Sequence, residues 1–221
     1  VMTPETLRTL LGGVPENGWF AEAEARVRAD PDAIGQLFAR AGRMLGRRPL
    51  PDHPSWTAGQ AGRVLLLLAL TGEPLEGRAP EGAASTVTVR GRVAELYWRG
   101  DPAERLAVLH ALEHLGLGEA GVPLIEDALR TNDKRLVAAA LGPCAALLDD
   151  AVWRQGVVKC VFMEVPLSVV DRLGERADQP LAEMLGGLAR ERAAAGRRMP
   201  GDALALLNRQ SLAKGWKAKE G

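Results

Sequence analysis

His110 and His114 are four residues apart in a segment where Leu106, Leu109, Leu112 and Leu115 recur at helical spacing. That spacing predicts that both imidazoles can turn toward one site beside the leucine arc. Histidine is the side chain best suited to proton transfer near neutral pH, so the pair is the weak catalytic candidate of the chain. Two histidines do not make a metal centre. A third ligand would have to come from Glu113, Cys144, Cys160 or a remote acid, and no characteristic metal-ligand spacing supplies it. A polar groove or partner surface is the plainer reading, and neither a metal nor a cofactor is expected.

The second constellation is cationic. Arg130, Asn132, Asp133, Lys134 and Arg135 fall at a break between two apolar helical patterns, with Asn132 expected to cap a helix starting at Asp133. Exposed amides at a helix start, with Arg130 or Arg135 adding bidentate contacts, are suited to a phosphate or carboxylate. An ordinary solvated helix start accounts for the same residues. Trp153, Arg154 and Lys159 follow within one predicted helix. Trp153 shares a face with Gly156, a spacing suited to close helix packing or to a ligand, whereas Arg154 belongs to a neighbouring face. Core packing is the plainer role for Trp153. Glu164 stands near an apolar turn, where desolvation would raise its pKa. Together Arg130, Asn132, Asp133, Lys134, Arg135, Trp153, Arg154 and Lys159 are the candidate ligand- or partner-binding residues.

Other chemistries lack their patterns. Gly12-Gly13 has no lysine and hydroxyl to complete a phosphate-binding loop, and Gly116-Leu117-Gly118 follows a helix rather than a strand. No serine stands in a nucleophile-elbow pattern. Cys144 and Cys160 lie in apolar surroundings and read as buried thiols rather than a disulfide.

The elements that must position these residues are helical. Thr3-Pro4, Asp30-Pro31, Thr57, Asp101-Pro102 with Glu104, and Asp149 or Asp150 are start signals. The leucine-rich run from Arg63 to Leu70 predicts a buried helix, and a helix is expected from Pro180 to Ala195. Residues Glu73 to Ala84, rich in glycine and proline, predict a loop. Ser85 to Val89 has strand propensity, yet can also continue into a helix through Tyr97. The expected fold is all-α, with irregular HEAT-like repeats of roughly 30 to 45 residues forming an α-solenoid or a compact helical array. One helical domain is expected over residues 1–205, followed by a polar tail over 206–221 with partial helical character.

The 221 residues carry 28 basic and 28 acidic side chains, so the chain as a whole has no pull toward nucleic acid or anionic lipid. No specific nucleic-acid partner is expected. The apolar run at Val64 to Leu70 is far too short to span a bilayer, and no secretory leader is evident, so a cytoplasmic location is expected.

Several segments resemble the EboA family. They include Ala94-Glu95-Leu96-Tyr97, Gly118-Glu119-Ala120-Gly121, Leu129-Arg130-Thr131-Asn132-Asp133, Ala138-Ala139-Ala140-Leu141-Gly142-Pro143 and Trp153-Arg154-Gln155-Gly156-Val157-Val158-Lys159. Val165-Pro166-Leu167 and Glu175-Arg176-Ala177-Asp178 extend the resemblance, which covers roughly residues 15 to 205. The resemblance implies a cytoplasmic accessory or adaptor protein of an ebo-type system for secondary-metabolite biosynthesis and transport. Its implied partners are an anionic small molecule and ebo-pathway proteins, with membrane association arising indirectly through a partner. No family catalytic set transfers to these residues. The alternative is a metal-independent enzyme acting on a phosphorylated or prenylated metabolite, with His110 or His114 moving a proton and Arg130 or Lys134 stabilising negative charge.

Overall fold

A computed structural model describes residues 2–14, 17–71 and 86–217, for 86–88 and 210–217 the backbone alone. The described residues are almost entirely helical and form two compact units, Val1–Leu124 and Ile125–Gly221.

The first unit is arranged around a helix that its own sequence makes insoluble. Helices α1 (Pro4–Gly12), α2 (Asn17–Ala29) and α3 (Ile34–Met44) precede a short hairpin of β1 (Pro49–Leu50) and β2 (His53–Thr57). Thr57 ends the hairpin and caps α4 (Ala58–Ala69), its hydroxyl accepting from the Gln60 N–H at 3.2 Å. Leucine and alanine favour the helix, and all but one residue of α4 is buried, against α1, α2, α3 and α6 (Pro102–Leu115). Gly59 lets α3 and α4 approach closely. A Cβ there would stand 2.9 Å from the Gly46 carbonyl oxygen and 3.0 Å from the Gly42 Cα. Arg63 is the charged exception inside this core. Its Nε donates to the Phe38 carbonyl at 3.0 Å, and its guanidinium faces Glu104 at 3.5 Å. Burial pulls its pKa down while Glu104 opposes that shift.

Helix α5 (Thr86–Arg99) settles the strand-or-helix alternative for the Val87 to Val89 segment in favour of helix. Val89, Val93 and Tyr97 recur every four residues and are all buried, so helical burial outweighs the β-branched composition. The loop expected over Glu73 to Ala84 lies outside the described residues. At the start of α6 the Asp101 carboxylate accepts from Ala103 and Glu104, and Glu104 returns a bond to the Asp101 N–H, completing a capping box. The β1–β2 hairpin departs from the all-α expectation. Its strands are too short to show a period of two, and Asp52 makes its turn with φ of 58°.

Helix α7 (Val122–Arg130) leads into the second unit, which is built from shorter pieces: α8 (Lys134–Ala140), α9 (Asp150–Met163), α10 (Leu173–Arg176), α11 (Gln179–Ala194) and α12 (Gly201–Lys217). Helix α9 packs on α8 and α11, and α11 on α12. The tail expected after residue 205 is helical through Lys217. The cap of α8 is Asp133, not Asn132: its carboxylate accepts from the Arg135 N–H at 2.9 Å. A carboxylate is the stronger acceptor for orphan amides, and Asn132 is left exposed.

Candidate functional site

Helices α7 and α9 bring Arg130 and Lys159 to one place. With Glu126, Leu129, Val152, Gln155 and Gly156 they line an open depression of about 220 Å³ in the second unit. The Lys159 ammonium donates to the Leu129 carbonyl at 2.6 Å, one of the orphan acceptors at the end of α7. The neighbouring Ala128 carbonyl accepts from the Thr131 hydroxyl at 2.8 Å. Lys159 is therefore a fixed charge. Arg130 is different: its side chain is 71 % exposed, and its bond to Glu126 spans one helical turn at 3.3 Å. A pair of that kind is worth a few tenths of a kcal/mol, so the guanidinium can leave it for a ligand. Two cations, one carboxylate and the exposed Gln155 amide suit this depression to a carboxylate or phosphate.

Arg154 and Arg135 are engaged elsewhere. Arg154 bonds Asp178 through Nε at 3.0 Å and its terminal nitrogen at 2.5 Å, and Asp178 caps α11 by accepting from the Leu181 N–H at 3.1 Å. That bond holds the Asp178 carboxyl below its ordinary pKa and raises the pKa of Arg154. Arg135 closes on Asp133 at 3.1 and 2.6 Å and depresses its pKa in the same way. Lys134 is exposed at the first position of α8.

Trp153 is core, 1 % exposed, with the Arg176 guanidinium 4.7 Å over its ring. Its indole N–H is buried without a hydrogen-bond partner. Gly156 serves packing, because a Cβ there would meet Leu141 at 3.0 Å and Leu129 at 3.3 Å. Glu164 reverses the expected shift. Its carboxylate is exposed and accepts from Arg192 at 2.8 Å, and that bond lowers its pKa.

The histidines have separate partners. His110 lies against Trp56 of β2, ring centroids 4.6 Å apart, and burial lowers its pKa to about 4. The His114 Nε2 faces the Met2 carbonyl and the Glu113 carboxylate, each at 3.3 Å. Neither histidine lines the Arg130–Lys159 depression. Among the described residues, no group of three or more His, Cys, Asp and Glu side chains is placed to hold a metal ion. Cys160 is buried, which pushes its thiol up to about 12, and Cys144 is half-buried rather than buried as expected.

A second concavity, in the first unit, was not legible from spacing. It has about 430 Å³ between α3, α5 and the start of α6, with Ile34, Phe38, Ala39 and Leu96 among its apolar lining. Its polar lining comprises Asp32, Arg92, Glu95, Arg99 and Glu104. Asp32 and Arg92 form an ion pair across 60 residues of sequence, a separation that no motif encodes.

Among the described residues no helix is long and apolar enough to cross a membrane. No curated protein and no solved structure matches the chain. Residues 47–208 match the family model described as metabolite traffic protein EboA, a span that includes α4 to α11 and the whole Arg130–Lys159 depression. The match extends over well more than half of the chain, which therefore belongs to the EboA family.

Proposed function

We propose that this protein is a cytoplasmic accessory or adaptor component of metabolite traffic that holds an anionic metabolite, or the anionic surface of a partner enzyme, at the Arg130–Lys159 depression. The observation that carries this reading is the pairing of a fixed ammonium, Lys159 on the Leu129 carbonyl, with the exposed guanidinium of Arg130. Family membership supports it, since the matched family is described as metabolite traffic. The pathway in view is an ebo-type system of secondary-metabolite biosynthesis and transport, with membrane association, where it occurs, made through a partner. In the same proposal the helices act as irregular HEAT-like units of one domain, whose inter-helix turns present the recognition surface. Asn132, Asp133, Lys134 and Arg135 then form a charged margin, with Trp153 and Arg154 supporting it from within the fold.

An enzymic role has less support. His110 is neutral at physiological pH and rests against Trp56, which does not prepare it to accept or donate a proton. Inorganic pyrophosphate and co-expressed ebo-cluster proteins are suitable probes. Arg130→Gln should weaken retention of one or both about tenfold while the fold persists. Failure of the native chain to retain either, or retention unchanged in Arg130→Gln, would remove the depression from the proposal.

A further inference from the structure

The cleft of the first unit has the size of a small-molecule site, about 430 Å³, with charged side chains set around a small apolar surface. Each acid in its lining has its own cation. Glu104 faces the buried Arg63 at 3.5 Å, Glu95 pairs with Arg99 at 2.8 Å, and Asp32 pairs with Arg92. The cleft therefore carries no excess of negative charge that would turn an anion away.

The three pairs differ in how they can be exchanged. Glu104 is tied into a capping box as well as to Arg63. Arg99 is 81 % exposed and follows Glu95 by one helical turn, so it is solvated on its own. In the third pair the cation is the sheltered half: the Arg92 side chain is 20 % exposed, while its partner Asp32 is 84 % exposed. Asp32 sits on a single 3-10 turn, Pro31–Ala33, at the edge of the cleft. A sheltered guanidinium gains from any carboxylate-like group that meets it in its two-pronged geometry. An exposed carboxylate loses little on returning to water. Gly35, Ala39 and Leu96 give the same cleft an accessible apolar surface, backed by the buried Ile34 and Phe38.

We propose that this cleft binds an organic anion with an apolar body, whose anionic group replaces Asp32 on Arg92 while its body covers Gly35, Ala39 and Leu96. Asp32 acts as an internal competitor that closes the site when it is empty. The α3 side of the cleft precedes the family match, and the α5 side lies within it. This site is independent of the Arg130–Lys159 depression.

The amphiphilic aryl sulfonate 8-anilinonaphthalene-1-sulfonate is the probe, read by fluorescence titration of the full chain, with decanoate and inorganic phosphate as competitors. One saturable site per chain is expected, displaced by decanoate and not by phosphate. Asp32→Asn should tighten binding roughly two- to fivefold, because it removes an exposed competitor. Arg92→Gln should weaken binding about tenfold, and Ala39→Trp should block it by filling the cleft. Displacement by decanoate and not by phosphate separates this site from the one proposed above. A merely structural ion pair would make Asp32→Asn neutral or harmful. Equal or weaker binding in Asp32→Asn, with circular dichroism unchanged, overturns the proposal, as does displacement by phosphate alone.

Discussion

The two units are both helical and both bury apolar side chains, but they distribute that burial differently. The first concentrates it: Val64, Leu65, Leu66 and Leu67 are each 0 % exposed on a single helix. In the second, helices as short as α10, four residues, cannot sustain themselves in isolation. There, long cations reach the ends of neighbouring elements. Lys159 takes the Leu129 carbonyl, and Arg176 takes the carbonyls of Ala145 and Leu148 at 2.7 and 2.9 Å. Arg154 holds the residue that caps α11. The first unit should therefore be the more sensitive to a cavity in its core, and the second to lost partners for its backbone.

The largest test of the contrast is Leu66→Ala. Truncating a fully buried leucine removes transfer energy and leaves a cavity, for about 4 kcal/mol. Hydrogen exchange should accelerate in α4 and α3 before it does in α9. A loss below about 1 kcal/mol in denaturant unfolding would show that the α4 core can collapse around the gap, and the burial half of the comparison would fail.

Arg176→Met tests the other half. It deletes bonds to two backbone carbonyls and to Asp150 and removes the cation over Trp153, while keeping a long side chain. The carbonyls of Ala145 and Leu148 belong to buried residues, so about 3 kcal/mol should be lost. Near-ultraviolet dichroism of Trp153 should change with it. If the methionine is neutral, hydrophobic contact alone holds the 3-10 segment Pro143–Leu147 and the contrast dissolves.

Acid should separate the units a third way. His110 titrates at about 4 in the folded chain against an ordinary 6.5. The unfolded state therefore binds more protons between those values. His110 favours the fold fully above pH 6.5, and that contribution fades as pH falls to about 4. The loss should reach about 2–3 kcal/mol by pH 4. His110→Leu should flatten the stability–pH curve across that window, a result read from urea midpoints. A curve of unchanged slope would show that the ring is hydrated in solution.

Helix starts were legible in the sequence because a cap is a local arrangement. Thr3, Thr57, Asp101 and Asp149 each bond an amide two or three residues ahead; the first three are recognisable from their immediate neighbours, and the fourth only as one of the pair Asp149 and Asp150. Asn132 failed because two adjacent residues can both cap, and the local pattern does not rank them. The candidate site was legible only in part. Arg130 and Lys159 converge, but Arg154 is turned away by Asp178, 24 residues on. Arg63 and Glu104 are 41 apart, and Arg92 and Asp32 are 60 apart. Side-chain partners at such distances follow from packing, which periodicity does not specify. Glu164 shows the same thing in its pKa: an apolar neighbourhood in sequence predicted desolvation, and a remote arginine reversed the sign.

The smallest effect separates two roles in one ion pair. Asp178 both caps α11 and accepts from Arg154. Arg154→Met removes the charge partner and leaves the cap, so the melting temperature should fall by roughly 1–3 °C at low salt. The difference should vanish near 1 M salt, where the screening length is about 3 Å. Asp178→Ala removes the cap too, and a further ~1 kcal/mol should persist at any salt. Because Arg154 depresses the Asp178 pKa, the bond contributes above the unfolded carboxyl value and is lost as pH falls through the folded one. Arg154→Met should therefore approach the native chain in stability at low pH as well as at high salt. A deficit that survives both would mean that Arg154 acts through the packing of its stem on α9. Arg154 would then no longer belong with the polar contacts that set the second unit apart.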